Sequence, residues 1–104
     1  MPRTFGLAAL RVLDAVAQGA EYGFDVIAAT RLPSGTVYPA LSRHERDGFV
    51  RSAWEEAERA HRDGRPPRRY YRLTAEGRRA LDAARASLEL LPRVPRSRAA
   101  RARG

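Results

Sequence analysis

The sequence contains no cysteine and no lysine, and it has no long hydrophobic run. Without cysteine there can be no disulfides, thiolate metal sites or thiol nucleophiles, and this composition agrees with a reducing cytosol. No segment approaches the ~20 apolar residues of a membrane span, and the N-terminus lacks the apolar core of a signal peptide. These absences predict a cytoplasmic protein that does not enter a membrane.

The charge is carried by arginine. A formal net charge of +8 comes from 20 basic residues, all of them arginine, against 12 acidic ones. Five arginines follow Pro92 with no acid among them, so residues 1–91 carry a net charge of only +3. A basic balance favours polyanionic partners, nucleic acid or anionic membrane, because neutralised phosphates supply much of the binding energy. The 104 residues suffice for one domain.

Two helices are predicted in the first third of the chain. Apolar residues at intervals of three and four indicate a helix over Phe5–Gln18, with Thr4 as its N-cap. A shorter helix is expected over Tyr22–Thr30, ending before Pro33 because a residue preceding proline avoids helical geometry. The residues of this second helix expected to face inward are Val26, Ile27 and Phe24.

A third helix follows closely. Proline is tolerated in the first helical turn, so Pro39 places the start of this helix near Thr36, and Gly48 closes it. Its core face is expected to hold Val37, Leu41 and His44. Two short helices joined by a tight turn are typical of a helix-turn-helix, whose second helix reads a DNA groove.

After Gly48 the period of the pattern changes. Two short aromatic-rich segments, Phe49–Glu55 and Arg69–Leu73, are predicted strands. The polar run 56–68 between them is expected to be an exposed hairpin loop, so that strands and loop form a wing. Thr74 is the predicted cap of a last helix, 75–91, whose leucine spacing is typical of a coiled-coil seam. The arginine-rich segment 92–104 is predicted to be disordered.

Four stretches together resemble the signature of the PadR-type transcriptional regulators: Gly23–Val26, Pro33–Leu41, Asp47–Val50 and Arg65–Gly77. Generic winged-helix proteins share the architecture but not the Gly-Thr-Val-Tyr-Pro sequence. The resemblance implies a homodimer that binds an inverted-repeat operator in double-stranded DNA, usually as a repressor. It also implies a small aromatic effector as a candidate partner, since some members are released from DNA by such ligands. His44 stands where the family usually has leucine.

Physical arguments assign DNA contacts to the third helix and the wing. Small residues and an exposed tyrosine at a helix N-terminus offer N–H groups and hydroxyls to phosphates and base edges, and wing arginines reach phosphates or the minor groove. The expected DNA-binding residues are Ser34, Gly35, Thr36, Tyr38, Pro39, Ser42, Arg43, Arg62, Arg65, Arg68 and Tyr70. The expected dimerisation residues are Leu7, Leu81, Ala84, Leu88 and Leu91. The alternative for the leucines of the last helix is packing on their own domain.

Several side chains have plainer interpretations. Of Tyr70 and Tyr71, which alternate across a strand, Tyr71 is expected inside. Trp54 is expected to pack between the sheet and a helix, with a ligand site at the dimer interface as the alternative, and His44 is expected to be half-buried with a hydrogen bond. The glutamates at 55, 56 and 58 form an exposed charge run with no catalytic or metal-ligand constellation around them, so neither an enzyme nor a cofactor or metal site is predicted.

The predicted protein is an α+β winged helix-turn-helix with a three-helix core, a two-stranded wing and a C-terminal dimerisation helix. The predicted division is residues 1–74 for DNA binding, 75–91 for dimerisation and 92–104 for the tail. A pseudo-palindromic operator follows from the two-fold axis of a homodimer. Two alternatives stay open: an architectural DNA-binding protein that tolerates many sequences, and a winged helix used as a protein-interaction module.

Overall fold

Five helices and two strands form residues 5–89, the part of the chain that the computed structural model describes. In chain order they are α1 (Leu7–Ala17), α2 (Gly23–Thr30), α3 (Ser34–Arg46), β1 (Val50–Trp54), α4 (Ala57–Arg62), β2 (Arg69–Leu73) and α5 (Ala75–Glu89). The predicted fold class is confirmed. Within residues 5–89, every helix falls short of the length and apolar character that crossing a membrane requires. Thr4, Pro92 and the segment 92–104 lie outside the described residues.

The hydrophobic core is built around α1, which packs against α2, α3, α5 and β2. Each fully buried aliphatic side chain contributes about 1.5–3 kcal/mol relative to an exposed one, so this cluster is the main source of stability. The residues at its centre are Val12, Leu13, Val26, Val37, Leu41, Val50 and Leu81. The apolar periodicity of α3 therefore predicts its core positions correctly. In α1 it predicts the buried Leu13 and Val16, but Leu7 is exposed and the fully buried Val12 is missed.

A three-residue turn joins α2 to α3. Arg31 adopts a left-handed conformation with φ of 60°, and its N–H donates to the Ile27 carbonyl over 2.8 Å, which ends α2. The Thr30 hydroxyl donates to the Val26 carbonyl at 2.7 Å and accepts from the Leu32 N–H at 3.2 Å. The predicted break before Pro33 is confirmed, whereas Phe24 is exposed and its predicted inward position is wrong.

The start of α3 differs from the prediction. The helix begins at Ser34, two residues before Thr36, so Pro39 is its sixth residue and not part of the first turn. Proline at this position removes the N–H that would bond to the Gly35 carbonyl. Because Gly35 and Pro39 are both exposed, water can satisfy that carbonyl, and the helix continues through the proline.

Strands β1 and β2 pair antiparallel, from Val50 opposite Leu73 to Trp54 opposite Arg69. Tyr71 is buried on the core side of the sheet, as predicted, and its N–H donates to the Glu21 carbonyl at 2.7 Å. Trp54 does not pack between the sheet and a helix: 65% of its surface is exposed, so that prediction is wrong. It lies at the end of β1 remote from Val50, the strand residue in the core.

The segment between the strands is folded, not an open loop. It contains α4, and Ala60 of this helix is fully buried. Glu55, predicted to belong to an exposed charge run, is buried as well. The sequence pattern misses both features because a single buried alanine and a single paired glutamate leave no periodic signal. We use the word wing below for residues 50–73, including α4.

Helix α5 joins the domain through one close approach. The Thr74 hydroxyl accepts from the Gly77 N–H at 2.9 Å, which confirms the predicted cap, and it donates to the Gly48 carbonyl at 2.6 Å. A Cβ atom at Gly77 would overlap the Phe49 carbonyl oxygen and lie 2.8 Å from Leu73 Cδ1. Glycine at position 77 therefore lets α5 lie directly on the start of the sheet.

His44 is more buried than predicted, with 1% of its surface exposed. Its Nε2 lies 2.8 Å from the Ala9 carbonyl oxygen, while Nδ1 is buried without a hydrogen-bond partner among the described residues. The rings of Phe5 and Phe49 lie 5.7 and 6.1 Å away. Burial lowers the pKa of His44, and the hydrogen bond to Ala9 opposes this effect only in part.

We expect His44 to make the stability of the domain sensitive to mild acid. Below pH 6.5 His44 is protonated in the unfolded chain, whereas its buried ring in the folded protein stays neutral to lower pH. The free energy of unfolding therefore decreases as the pH is lowered through this range. Replacing His44 with leucine should remove this slope and raise the free energy of unfolding at neutral pH by about 1 kcal/mol, because Nδ1 is no longer buried unpaired.

Urea unfolding at about pH 7 and about pH 5.5 measures the effect, a range that lies above the ordinary carboxylate pKa values. His61→Gln, at the exposed histidine of α4, is the matched control and should keep the wild-type slope. An unchanged slope in the His44→Leu variant would contradict the prediction.

Candidate nucleic-acid interface

The outward side of α3 forms one continuous exposed line. Its members recur at intervals of four, three and four residues and lie opposite the buried face of the helix: Gly35, Pro39, Ser42 and Arg46. Of the predicted contact residues in this helix, Thr36 is half-buried and the others are exposed: Ser34, Gly35, Tyr38, Pro39, Ser42 and Arg43. Gly35 and Pro39, the two small residues at the start of this line, leave room for a duplex to approach the backbone closely.

Arg46 belongs to this line but is absent from the predicted contact residues. It is exposed and lies one helical turn after Ser42. The spacing of Gly35, Pro39 and Ser42 extended by four residues identifies it, so the helical period alone is a sufficient signal. A guanidinium at the end of the line can bind a phosphate or the edge of a guanine.

Tyr38 is 45% exposed and lies against the first turn of α2. A Cβ atom at Gly23 would lie 2.7 Å from Cζ and 2.8 Å from the hydroxyl oxygen of Tyr38. The absence of a side chain at Gly23 is what lets the tyrosine ring occupy this position. Tyr38 therefore sits where the beginnings of α2 and α3 meet, with its hydroxyl near the α2 backbone.

The predicted wing arginines divide into free and bound side chains. Arg62 is exposed at the end of α4. Arg65 is not free: it binds the buried Glu55 through both terminal nitrogens, with Nη2 2.8 Å from Oε2, and it also reaches Asp63 at 3.1 Å. The guanidinium of Arg65 therefore has two carboxylate partners in the wing, and its predicted contact with DNA stays a prediction.

Hydrogen bonding to Arg65 lowers the pKa of Glu55 to about 2. The desolvation of the carboxylate opposes this effect, but the guanidinium and the nearby Arg68 outweigh it. Glu55 is thus ionised throughout the neutral range, and its charge is matched within the wing. The pair connects Glu55, which directly follows β1, to Arg65, which follows α4.

Arg68 and Tyr70 connect the wing to the start of α2. The guanidinium carbon of Arg68 lies 4.1 Å from the centroid of the Tyr22 ring, and one of its nitrogens is 3.8 Å from Glu55. Tyr70 is half-buried and forms a β-bridge with Tyr22. Arg68 remains exposed and can still turn toward a phosphate, whereas most of Tyr70 faces the protein.

A polar network joins the wing to α3. The Arg69 guanidinium donates to Glu45 Oε2 at 3.1 Å and to the Ser52 hydroxyl at 2.9 Å, and Ser52 donates to Glu45. The Ser52 hydrogen bond is the main reason that the pKa of Glu45 is lowered, and Arg69 adds to the effect. We call Glu45, Ser52 and Arg69 the helix–wing link, because it holds β1 and β2 at a set position beside α3.

The predicted dimerisation residues are placed unequally. Leu81 is fully buried in the core of its own domain, so its predicted contact with a partner is wrong. Leu88, two turns later on the same side of α5, is 51% exposed, and Leu7 at the start of α1 is 70% exposed. Ala84 between the two leucines is half-buried, and Leu91 lies outside the described residues.

No group of three or more side chains suited to bind a metal ion occurs between residues 5 and 89. The candidate interface consists of the exposed line of α3, Tyr38 beside it, and the exposed arginines of the wing. Its chemistry is that of hydrogen bonding and charge neutralisation.

Comparison with protein families matches residues 12–83 to the Transcriptional regulator PadR-like family. Among solved structures, the chain is similar to a PadR family transcription regulator from Clostridium difficile, with a TM-score of 0.70, 24% identity, and coverage of 81% of this chain and 88% of that chain. It is also similar to a PadR-like transcription factor from Bacteroides fragilis, with a TM-score of 0.69, 27% identity, and coverage of 81% and 82%.

A third similar structure is Bordetella bronchiseptica BpsR, whose DNA binding is regulated by 6-hydroxynicotinic acid. The TM-score is 0.67 at 21% identity, and the alignment covers 82% of this chain. This chain spans 60% of the length of the BpsR chain. Comparison with curated proteins finds no match.

The contact between Gly23 and Tyr38 yields a direct test. Gly23→Ala should push the Tyr38 ring away from α2, because the added methyl group occupies the same space. If Tyr38 contacts DNA, this variant should bind DNA several-fold more weakly while its melting temperature changes little, since the ring is the movable partner. A double-mutant cycle separates the effects: in a Tyr38→Ala background, Gly23→Ala should have no further effect on binding. Equal losses in both backgrounds would contradict this role of Gly23.

Proposed function

Since this chain belongs to the PadR-like family of transcriptional regulators, we propose that it binds double-stranded DNA sequence-specifically as a homodimer. The observation that carries the proposal is the exposed line of α3, in which two small residues are followed by Ser42 and Arg46. A helix with this surface can enter a major groove, where hydroxyl and guanidinium groups read base edges. Its work would lie in the cytoplasm and consist of binding, not catalysis.

The proposed mode of regulation is repression. Two domains related by a two-fold axis place their recognition helices in successive major grooves about 34 Å apart, so the operator is expected to be pseudo-palindromic. A dimer bound there would block RNA polymerase. Among the wing residues, Arg62 and Arg68 would contact the backbone on either side, and Arg65 would hold the wing in shape from within.

The proposal includes a small aromatic effector. Regulation of BpsR by 6-hydroxynicotinic acid supports this class of ligand. A cavity of about 420 Å³ lies between the start of α2 and the wing, and its lining includes the rings of Tyr22, Trp54 and Tyr70, two arginines (Arg59 and Arg72) and three glutamates (Glu21, Glu55 and Glu56). Aromatic rings suit a planar ligand, and the charged groups of both signs suit a ligand that carries polar substituents.

Arg46→Gln should weaken binding to the protein's own upstream DNA by about 1–3 kcal/mol if Arg46 reads a base, and it should lower the salt dependence by about one charge if it binds a phosphate. Footprinting with excess competitor DNA, at about 150 mM salt, measures this together with the loss expected for Tyr38→Ala. Arg79→Gln is the matched control, because it removes one exposed guanidinium from α5, away from the interface.

Three results would contradict the proposal in different ways. Equal losses for Arg46→Gln and Arg79→Gln would mean that only total charge matters. A preference for the protected site below ~10³-fold would favour the architectural alternative. Failure to bind any DNA at low salt would favour a protein-interaction module.

The homodimer is tested on α5. Leu88→Glu should convert dimers to monomers in sedimentation experiments, because it places a charge where an apolar contact is expected. Ala83→Glu is the matched control: it adds the same charge at an exposed position on the opposite side of the same helix. A dimer that survives Leu88→Glu unchanged would show that this part of α5 is not the interface.

A further inference from the structure

The chain contains one tryptophan, and it lies on the surface. Trp54 is the last residue of β1 and is 65% exposed. With most of its surface in water, this large apolar ring gains only part of what burial within its own domain could contribute. Tryptophan is also among the residues most enriched at binding surfaces.

The sheet register shows which way Trp54 faces. Side chains alternate across a strand, so Ser52 and Trp54 of β1 share a face, and Arg69, opposite Trp54, shares it too. Ser52 and Arg69 both reach Glu45 of α3 from this face. Trp54 therefore lies on the side of the wing that turns toward the recognition helix α3.

Arg69 orients the indole ring. Its guanidinium carbon is 5.6 Å from the centroid of the Trp54 ring, within the range of a cation–π contact. The same guanidinium is held by Glu45 and by Ser52. Because a guanidinium is planar, two fixed hydrogen bonds set its orientation, and the exposed indole is held against a positioned partner.

We propose that Trp54 contacts the sugar–phosphate backbone of DNA beside the groove occupied by α3, and that Arg69 is the positioning residue for this contact. The proposal rests on the DNA-binding function proposed above. The apolar face of the indole would pack on a deoxyribose, and its N–H would donate to a phosphate oxygen. The exposed guanidinium of Arg46 on α3 favours a polyanion over a protein partner beside this face of the wing.

The single tryptophan makes the contact directly observable. A fluorescein-labelled duplex of the footprinted upstream segment is titrated with the full chain while fluorescein anisotropy reports binding and tryptophan emission reports Trp54. We expect the emission to change in step with the anisotropy, and quenching of the tryptophan by acrylamide to be reduced in the complex.

Variants at position 54 measure the size of the contact. Trp54→Ala should weaken binding about tenfold, whereas Trp54→Phe should recover part of the loss because it keeps an apolar ring. The salt dependence should stay at the wild-type value in both variants, since neither changes a charge. The exposure of Trp54 means that both should fold like the wild type, which circular dichroism checks.

The role of Arg69 is tested by whether Glu45→Gln strengthens or weakens DNA binding. Glu45→Gln removes a negative charge near a polyanion, so simple electrostatics predicts tighter binding; release of Arg69 predicts weaker binding and less protection of Trp54 from acrylamide. Glu76→Gln on α5 is the matched control for the lost negative charge. Arg69→Lys keeps the charge without the planar fork and should lose the protection of Trp54 as well.

The outcomes separate the two proposals. Anisotropy changes with unchanged tryptophan emission, and wild-type affinity in Trp54→Ala, would overturn the contact while DNA binding stands. Tighter binding in Glu45→Gln together with full protection of Trp54 would overturn the positioning role. No binding to any duplex would overturn both the contact and the proposed function.

Discussion

The buried face of α3 is the constraint on which the rest of the interface depends. Val37 and Leu41 are fully buried against α1, and His44 continues the same face, so the helix cannot rotate about its axis without exposing all three. With each aliphatic side chain contributing about 1.5–3 kcal/mol, such a rotation would consume a large part of the stability of a small domain. The outward direction of Ser42 and Arg46 is thereby settled by the core beneath them.

A second set of contacts settles the position of the wing. The helix–wing link ties β1 and β2 to the side of α3, and the pair of Glu55 with Arg65 closes α4 onto the end of β1. Arg69 is exposed, and Glu45 and Arg65 are only partly buried, so these ion pairs add little stability and mainly set the position of the wing. The wing therefore has a defined shape. The arginine side chains outside these ion pairs stay available to bind a phosphate.

Helix α5 serves the domain and extends beyond it. Its first half is anchored by the Thr74 cap, by the close approach at Gly77 and by Leu81 in the core. Two turns later on the same side of the helix the contacts with the domain end, and Leu88 is exposed whereas Leu81 is buried. A partner bound along the second half would therefore be rigidly connected to the core that orients α3, which is the geometry that a two-headed DNA-binding protein needs.

Sequence periodicity predicts most of the elements and some of their inner faces. Periods of 3.6 and 2 residues identify α1, α2, α3, α5, the two strands and the core positions of α3, but they miss α4 and the exposure of Leu7 in α1. The same helical period would have added Arg46 to the predicted contacts. Such patterns are readable because burial of a face repeats along the chain and leaves a regular signal.

The contacts of the polar and aromatic side chains depend on the tertiary structure. Arg62 and Arg65 look alike in the sequence, yet Arg65 is bound to a buried glutamate, whereas Arg62 is exposed and has no ion pair among residues 5–89. Trp54 lies outside the core because it stands at the end of β1 that is remote from Val50. Leu81 lies inside the core because this part of α5 packs against α1. The period of the sequence predicts on which side of a helix or strand a residue lies. Contacts with distant parts of the chain determine whether that residue is buried, ion-paired or exposed.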